Sequence, residues 1–205
     1  MCFSYHIHKP ASVIEKRFEA EVINKQQNMF FDTPLNVYNG FAHPQMPVIT
    51  NHAPQKIQFY EWGLMPVWAK DKKFQDNTLN ARIETLDEKP SFKGSLNKRC
   101  LIPADGFFEW QWLDPKGKQK QKYIIGFEEE LFAFAGLWNE WANPATGEII
   151  PTFTIITIEA NELMAEIHNT KKRMPVILRP DAEKEWLLSG KITMWNEELS
   201  ARKIS

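Results

Sequence analysis

The 205-residue chain is 43% hydrophobic and 25% charged, a balance that excludes disordered, collagenous and membrane-spanning classes and predicts one domain over residues 1–205. Lys and Arg number 25 against 26 Asp and Glu, a net charge of −1; no global field pulls such a chain onto duplex DNA or a bilayer, so any nucleic-acid site must be local. Two cysteines are too few for a secreted disulfide framework, and no leader-like segment opens the chain, so a cytoplasmic protein without membrane attachment is expected.

In chain order, residues 2–8 alternate in strand fashion, and Ser12-Val13-Ile14-Glu15 reads as a capping box opening a helix to about residue 23. Pro34, Pro44, Pro47 and Pro54, with Asn39-Gly40 between them, predict loops around one short strand at 47–50. Strand candidates follow at 56–62, 99–103, 107–112, 121–126, 131–138 and 152–158. Asp114-Pro115-Lys116-Gly117 and Asn143-Pro144-Ala145-Thr146-Gly147 read as hairpin turns. Short helices are predicted at 161–167, 181–188 and within 83–89. The whole reads as an α+β fold dominated by a curved, mainly antiparallel β-sheet or open barrel with a few short helices. Eight Trp and 14 Phe exceed the needs of such a core; they read either as a rich aromatic core or, for some rings, as working surface.

Chemistry concentrates first at Cys2. A small residue after the initiator Met is what methionine aminopeptidases accept, so Cys2 is expected to become the mature N-terminus, with a thiol and an α-amine on adjacent carbons. An α-amine of pKa about 7.7–8.0 is roughly 10–17% neutral at pH 7, against about 0.04% for an ordinary lysine. It can form an imine with an aldehyde, and the neighbouring thiol can close on that imine to give a five-membered thiazolidine. The same Cys could instead attack a carbonyl with its own amine as base, as N-terminal-nucleophile hydrolases do.

Asn80, Arg82 and Glu84 share one side if extended. They offer either a phosphate-gripping fork beside an amide and a carboxylate, or an exposed strand with an Arg–Glu pair. Glu109, between Phe108 and Trp110, is the one carboxylate in an apolar run. Its pKa rises if it is desolvated, while strand alternation can equally turn it to solvent. His168 closes a short amphipathic helix, where a cation at the helix C-terminus is the plain alternative to catalysis. His6 and His8 share one face of the first strand, but no Cys or carboxylate at ligand spacing joins them, so no metal and no cofactor is expected. Triad, Walker and dinucleotide patterns are absent, which removes the corresponding hydrolase, NTPase and NAD readings.

Seven motifs then occur in order. They are Met1-Cys2, Tyr38-Asn39 with Ala42-His43-Pro44-Gln45 and Pro47-Val48, Trp62-Gly63-Leu64-Met65-Pro66-Val67-Trp68-Ala69, Asn80-Ala81-Arg82-Ile83-Glu84, Arg99 to Trp110, Phe134-Ala135-Gly136-Leu137-Trp138, and His168 before Arg173-Met174-Pro175-Val176-Ile177-Leu178. In this combination the chain resembles the SOS response-associated peptidase (SRAP) family. The resemblance implies a monomeric protein that binds single-stranded DNA and captures abasic sites through a thiazolidine cross-link at Cys2, nucleoid-associated when bound to DNA. Lyase and autopeptidase activities are further implications. Among the family's catalytic groups, Asn80 would orient the deoxyribose and the Cys2 amine, Glu109 would open the sugar and move protons at the imine, and His168 would be the second proton-transfer group. For DNA, Arg82 would grip phosphate, Trp68 and Trp110 would stack or wedge between bases, and Arg99 would add a phosphate contact. The chain departs from the family at Phe3, where Gly is usual. It departs again in the longer stretch Asn169-Thr170-Lys171-Lys172, which with Arg173 reads as extra phosphate contacts or as a solvated loop. The competing readings are a cysteine peptidase or amidohydrolase with Cys2 as nucleophile, and a noncatalytic single-strand binding module.

Overall fold

A computed structural model describes residues 2–23, 31, 37–128, 130–195 and 199–204. The first third holds β1 (Ser4–His6), α1 (Ala11–Phe18), β2 (Glu21–Val22), β3 (Val37–Asn39), β4 (Gln45–Thr50) and β5 (Lys56–Trp62). Next come β6 (Asn80–Arg82), the one-turn α2 (Pro90–Lys93), and the long run β7 (Arg99–Ala104), β8 (Gly106–Trp112), β9 (Lys120–Gly126), β10 (Phe132–Ala142) and β11 (Ile149–Glu159). The C-terminal part adds α3 (Glu162–Ile167), β12 (Arg173–Pro175), β13 (Ile177–Leu178), α4 (Glu183–Ser189) and β14 (Ser200–Ile204).

Five strands close on themselves. The antiparallel pairs β4–β5, β4–β7, β7–β10 and β10–β11 run in series, and a parallel pair between β11 and β5, Thr152↔Glu61 and Phe153↔Trp62, completes the ring. Closure satisfies backbone groups that an open sheet would leave exposed along its edges. A second sheet runs β14-β9-β8-β1-β3, and the chain passes between the two at Asp105, the residue joining β7 to β8. Aromatic packing stitches the sheets together: Tyr5 of β1 lies edge-on to Trp62 at 5.2 Å and to Phe134 at 5.6 Å, and all three are buried. Full burial of each such ring contributes about 1.5–3 kcal/mol.

The α+β class, the dominant antiparallel sheet and the few short helices accord with the sequence reading. The predicted hairpin turns form too. At the first, Gly117 takes φ 65° while a Cβ there would lie 2.7 Å from the Trp112 ring, so only glycine fits. The barrel is closed rather than open, because the β5–β11 pairing joins segments that no local pattern connects. The capping box does not form: Pro10 is the N-cap without a side-chain bond, and the Glu15 carboxylate instead accepts the Val22 N–H at 2.9 Å. The helix stops at Phe18 with Glu19 left-handed, since Glu21–Val22 are claimed by parallel pairing with β5. Within 83–89 only a 3₁₀ turn, Ile83–Thr85, appears. Pro34 and Met1 lie outside the described residues. Trp62, Trp138, Trp141 and Trp186 are buried while Trp68, Trp110 and Trp112 are exposed, so the rings serve both as core and as surface. Among the described residues no helix is long and apolar enough to cross a membrane.

Candidate active site

Strand register brings the predicted residues together. β1 pairs antiparallel with β8 through Tyr5↔Phe107 and His6↔Gly106, so the start of the chain runs toward Glu109. Alternation puts Glu109 on the same face of β8 as the fully buried Phe107, and its carboxyl is 5% exposed, which decides the choice between core and solvent left open by the sequence. β11 supplies the other wall, because β6 and β12 both pair with its second half: Ile155↔Asn80 and Thr157↔Arg82 in parallel, Glu159↔Arg173 antiparallel. α3 packs on β8, with Gln111 donating to the Glu166 carbonyl at 3.3 Å, and delivers His168 at its C-terminus.

Within this group, Asn80 Nδ2 donates to the Cys2 carbonyl at 2.9 Å, while its buried Oδ1 has no hydrogen-bond partner among the described residues. His168 Nε2 stands 3.9 Å from Glu109 Oε2, too far for a direct hydrogen bond and close enough for one bridging atom. His168 Nδ1 lies 2.9 Å from the Arg173 carbonyl, so a proton on Nδ1 leaves the Nε2 lone pair facing Glu109. At neutral pH His168 is neutral and Glu109 is divided between its acid and carboxylate forms. Burial raises the Glu109 pKa to about 7, with the Trp110 N–H pulling weakly the other way. Burial lowers that of His168 to about 4, helped by Lys171 and opposed by the bond to the Arg173 carbonyl. The Cys2 thiol is fully buried, and burial, then the nearby Glu109 charge, push its pKa far above the ordinary thiol range. Such a thiol is protonated at neutral pH. The arrangement can therefore pass protons between a neutral acid and a neutral base beside a cysteine.

Glu84 does not pair with Arg82. Its carboxylate takes a bidentate bond from Arg173, at 2.6 and 2.9 Å, which holds its pKa below the usual range, and Arg173 Nη2 also donates to the Thr157 carbonyl at 2.7 Å. Arg173 is thus a buried clasp between the turn after β6 and β12, not a surface phosphate contact. Glu84 and Arg173 stand in separate motifs, and nothing in the sequence showed that they meet. Arg82 is left exposed, and its guanidinium makes no hydrogen bond among the described residues. Trp110 is 46% exposed beside Glu109, with the Lys122 ammonium 5.6 Å from its ring. Trp68, 51% exposed, donates to the Pro90 carbonyl at 3.4 Å and stands edge-on to Phe74 at 5.1 Å. The structure does not bring Arg99 to this group: its guanidinium donates to the carbonyls of Leu96, Leu187 and Leu188, capping the end of α4. Phe3 packs on Phe41 at 5.0 Å. In the longer loop, the Asn169 side chain bonds both backbone groups of Trp112, tying the loop to β8, while Lys171 and Lys172 are exposed.

A closed barrel flanked by a second sheet thus carries the Asn80 amide, the Glu109 carboxyl and the His168 imidazole near a cysteine at position 2. The family model described as SOS response associated peptidase (SRAP) matches residues 1–203, and the chain belongs to that family. It is similar to abasic site processing protein YoqW of Bacillus subtilis, 48% identical over 143 residues, 69% of this chain and 62% of that one. It is also similar to abasic site processing protein HMCES of Gallus gallus, 40% identical over 151 residues, 62% of this chain and 43% of that one. The match therefore spans about six tenths of the length of the Bacillus relatives. A crystal structure of a Bacteroides thetaiotaomicron protein superposes with a TM-score of 0.87 at 31% identity, covering 100% of this chain and 92% of that one. A Bordetella bronchiseptica protein shares the fold at a TM-score of 0.81 and 23% identity.

Proposed function

We propose that this protein processes abasic sites in single-stranded DNA by forming a thiazolidine cross-link through Cys2 once Met1 is removed. The observation that carries the reading is the convergence of Asn80, Glu109 and His168 on Cys2. An abasic sugar is largely a closed hemiacetal. Neutral Glu109 gives a proton to the ring oxygen and neutral His168 takes the hydroxyl proton, which frees the aldehyde. The Cys2 α-amine adds to the aldehyde carbon and water leaves, giving an imine. The thiol then adds to the imine carbon, its proton passing to nitrogen through Glu109 or His168. The sum is cysteine plus aldehyde giving thiazolidine plus one water. The unpartnered Asn80 Oδ1 is an acceptor suited to the freed amine. A thiol held protonated by burial favours this amine-first order over a thiolate attack on a peptide. Arg82 supplies the phosphate contact, and Trp110 a stacking face next to the reacting sugar, with Trp68 further along the strand. Arg99 has its donors engaged by backbone and is left out of the interface.

The test mixes mature protein with a uracil-containing oligonucleotide treated with uracil glycosylase, followed by a denaturing gel. A heat-stable shifted band is expected with the parent protein, and none with Cys2→Ala or with a chain extended before Cys2. Intact mass should lack Met1. A released peptide without adduct would establish the peptidase reading, and binding without either product would establish the noncatalytic module.

A further inference from the structure

We propose that His6, His8 and Asp105 form a divalent-metal site, suited to zinc, that clasps the start of the chain to the crossing between the two sheets. The residues lie far apart in sequence, 97 positions between His8 and Asp105, and meet because β1 and β8 pair beside the Asp105 junction. Potential ligand atoms cluster here: His6 Nδ1 and His8 Nδ1 are 3.3 Å apart, with His6 Nδ1 2.9 Å from Asp105 Oδ1 and His8 Nδ1 2.9 Å from Asp105 Oδ2. Zinc bonds of about 2.0–2.1 Å to nitrogen and oxygen place tetrahedral neighbours about 3.3–3.4 Å apart, and slightly closer for a carboxylate that leans toward the ion. The nitrogen–nitrogen separation thus already matches a coordination sphere, and small side-chain rotations would open the nitrogen–oxygen separations to it.

Protons and a cation compete for this cluster. If both Nδ1 atoms carry protons toward Asp105, two N–H groups crowd at 3.3 Å; if one does not, its lone pair faces a carboxylate oxygen. A cation accepts all three lone pairs at once. The site is also built. The Asp105 side chain is fully buried, and its Oδ2 is fixed by the backbone N–H groups of His8 at 2.7 Å and Lys9 at 3.3 Å, which orient the ligand from behind. Gly106 admits the His6 ring, since a Cβ there would lie 2.2 Å from Nε2. The rings of His6 and His8 stack within 10° of parallel, so one must turn to aim its lone pair at a shared ion. His8, whose side chain is 42% exposed, has that freedom, and the solvent beside it supplies a water as fourth ligand.

The test uses the full chain, stripped with EDTA and desalted, then titrated with Zn²⁺ alone by calorimetry and weighed by native mass spectrometry. The parent and Cys2→Ser should each bind one ion, and His8→Gln should bind at least about 100-fold more weakly, in line with losing one of three protein ligands. Zinc at a hundredfold excess over the parent's Kd should raise the Tm of the parent and of Cys2→Ser by about 5–10 °C and that of His8→Gln by no more than about 2 °C. An unchanged metal-free Tm for His8→Gln shows that its fold is intact, and Asp105→Asn, as a second variant, should lose the ion as well. Retained affinity in His8→Gln, affinity lost instead in Cys2→Ser, or a parent that binds no zinc below about 0.1 mM would each overturn the site.

Discussion

Glu109 and His168 sit 3.9 Å apart with pKa values displaced in opposite directions, so each leaves its own mark on a pH profile. The cross-linking rate should rise with pH as the α-amine deprotonates near its ordinary value of about 7.7–8.0, and the limb that depends on protonated Glu109 should fall as pH passes about 7. Glu109→Gln should slow cross-linking by about 10²-fold and abolish that falling limb; an unchanged profile at saturating DNA would remove Glu109 from the chemistry. The same displacements link to stability. Glu109 holds its proton more tightly when folded, so its stabilising contribution is full below pH 4.5 and is lost as pH rises through about 7. His168 behaves oppositely: its contribution is full above pH 6.5 and is lost as pH falls through about 4. Between pH 4.5 and 6.5 the two slopes offset each other. His168→Gln should therefore show a urea midpoint that, relative to the parent, declines as pH rises from about 4 to 6.5, and Glu109→Gln one that declines as pH falls from about 7 to 4.5. Parallel profiles in the two variants would contradict both displaced values.

The clasp between Glu84 and Arg173 shows how short elements are held in place. β6 and β12 are three residues each and carry no independent stability. What fixes them is their pairing with β11 and the bidentate bond across β11's end, with the guanidinium 10% and the carboxylate 46% exposed. Glu84→Gln should cost about 2 kcal/mol in urea unfolding, because it strands a buried cation, and should lower the cross-linking rate by loosening both Asn80 and His168. Lys184 and Glu19 form an ion pair of similar length, 2.7 Å, with both groups open to solvent, and Glu19→Gln should leave stability unchanged within error. The difference also explains what could be read beforehand. The long hairpin strands β5, β8, β9, β10 and β11 were legible because their alternation and turns are local. The two- and three-residue strands β2, β3, β12 and β13 have no period to detect, and the parallel closure of the barrel joins residues some ninety positions apart. In the candidate site, Cys2, Asn80, Glu109 and His168 could be picked out through their motifs. The partner of Glu84 and the approach of Asp105 to His6 and His8 were not, since each depends on which strand lies beside which.

At the scale of the whole molecule, charge and aromatic exposure together set the form of DNA the protein should prefer. With 25 cationic and 26 anionic side chains, long-range attraction to a duplex is absent, and affinity must come from a few local contacts. Arg82, Lys171 and Lys172 are exposed, and Trp110 and Trp68 present 46% and 51% of their surface to solvent, Trp110 following the buried Glu109 along β8. On the proposed function, an exposed ring of this kind would stack on an unpaired base, an interaction of about 1–3 kcal/mol per base. Inside a continuous duplex the same faces are already stacked, and reaching a sugar flanked by paired neighbours costs a few kcal/mol of unstacking. An abasic site in a single strand, or at a single-strand to duplex junction, should therefore cross-link at least about tenfold faster than the same site within a duplex. The comparison needs matched oligonucleotides with one lesion, with and without the complementary strand, at one fixed salt concentration. Trp110→Ala should shrink the difference by slowing the single-stranded reaction, whereas Arg82→Ala should weaken binding on both substrates and reduce the salt dependence of affinity. Equal rates on single strand and duplex would show that the exposed tryptophans do not read unpaired bases, and the surface around Glu109 would then need another ligand.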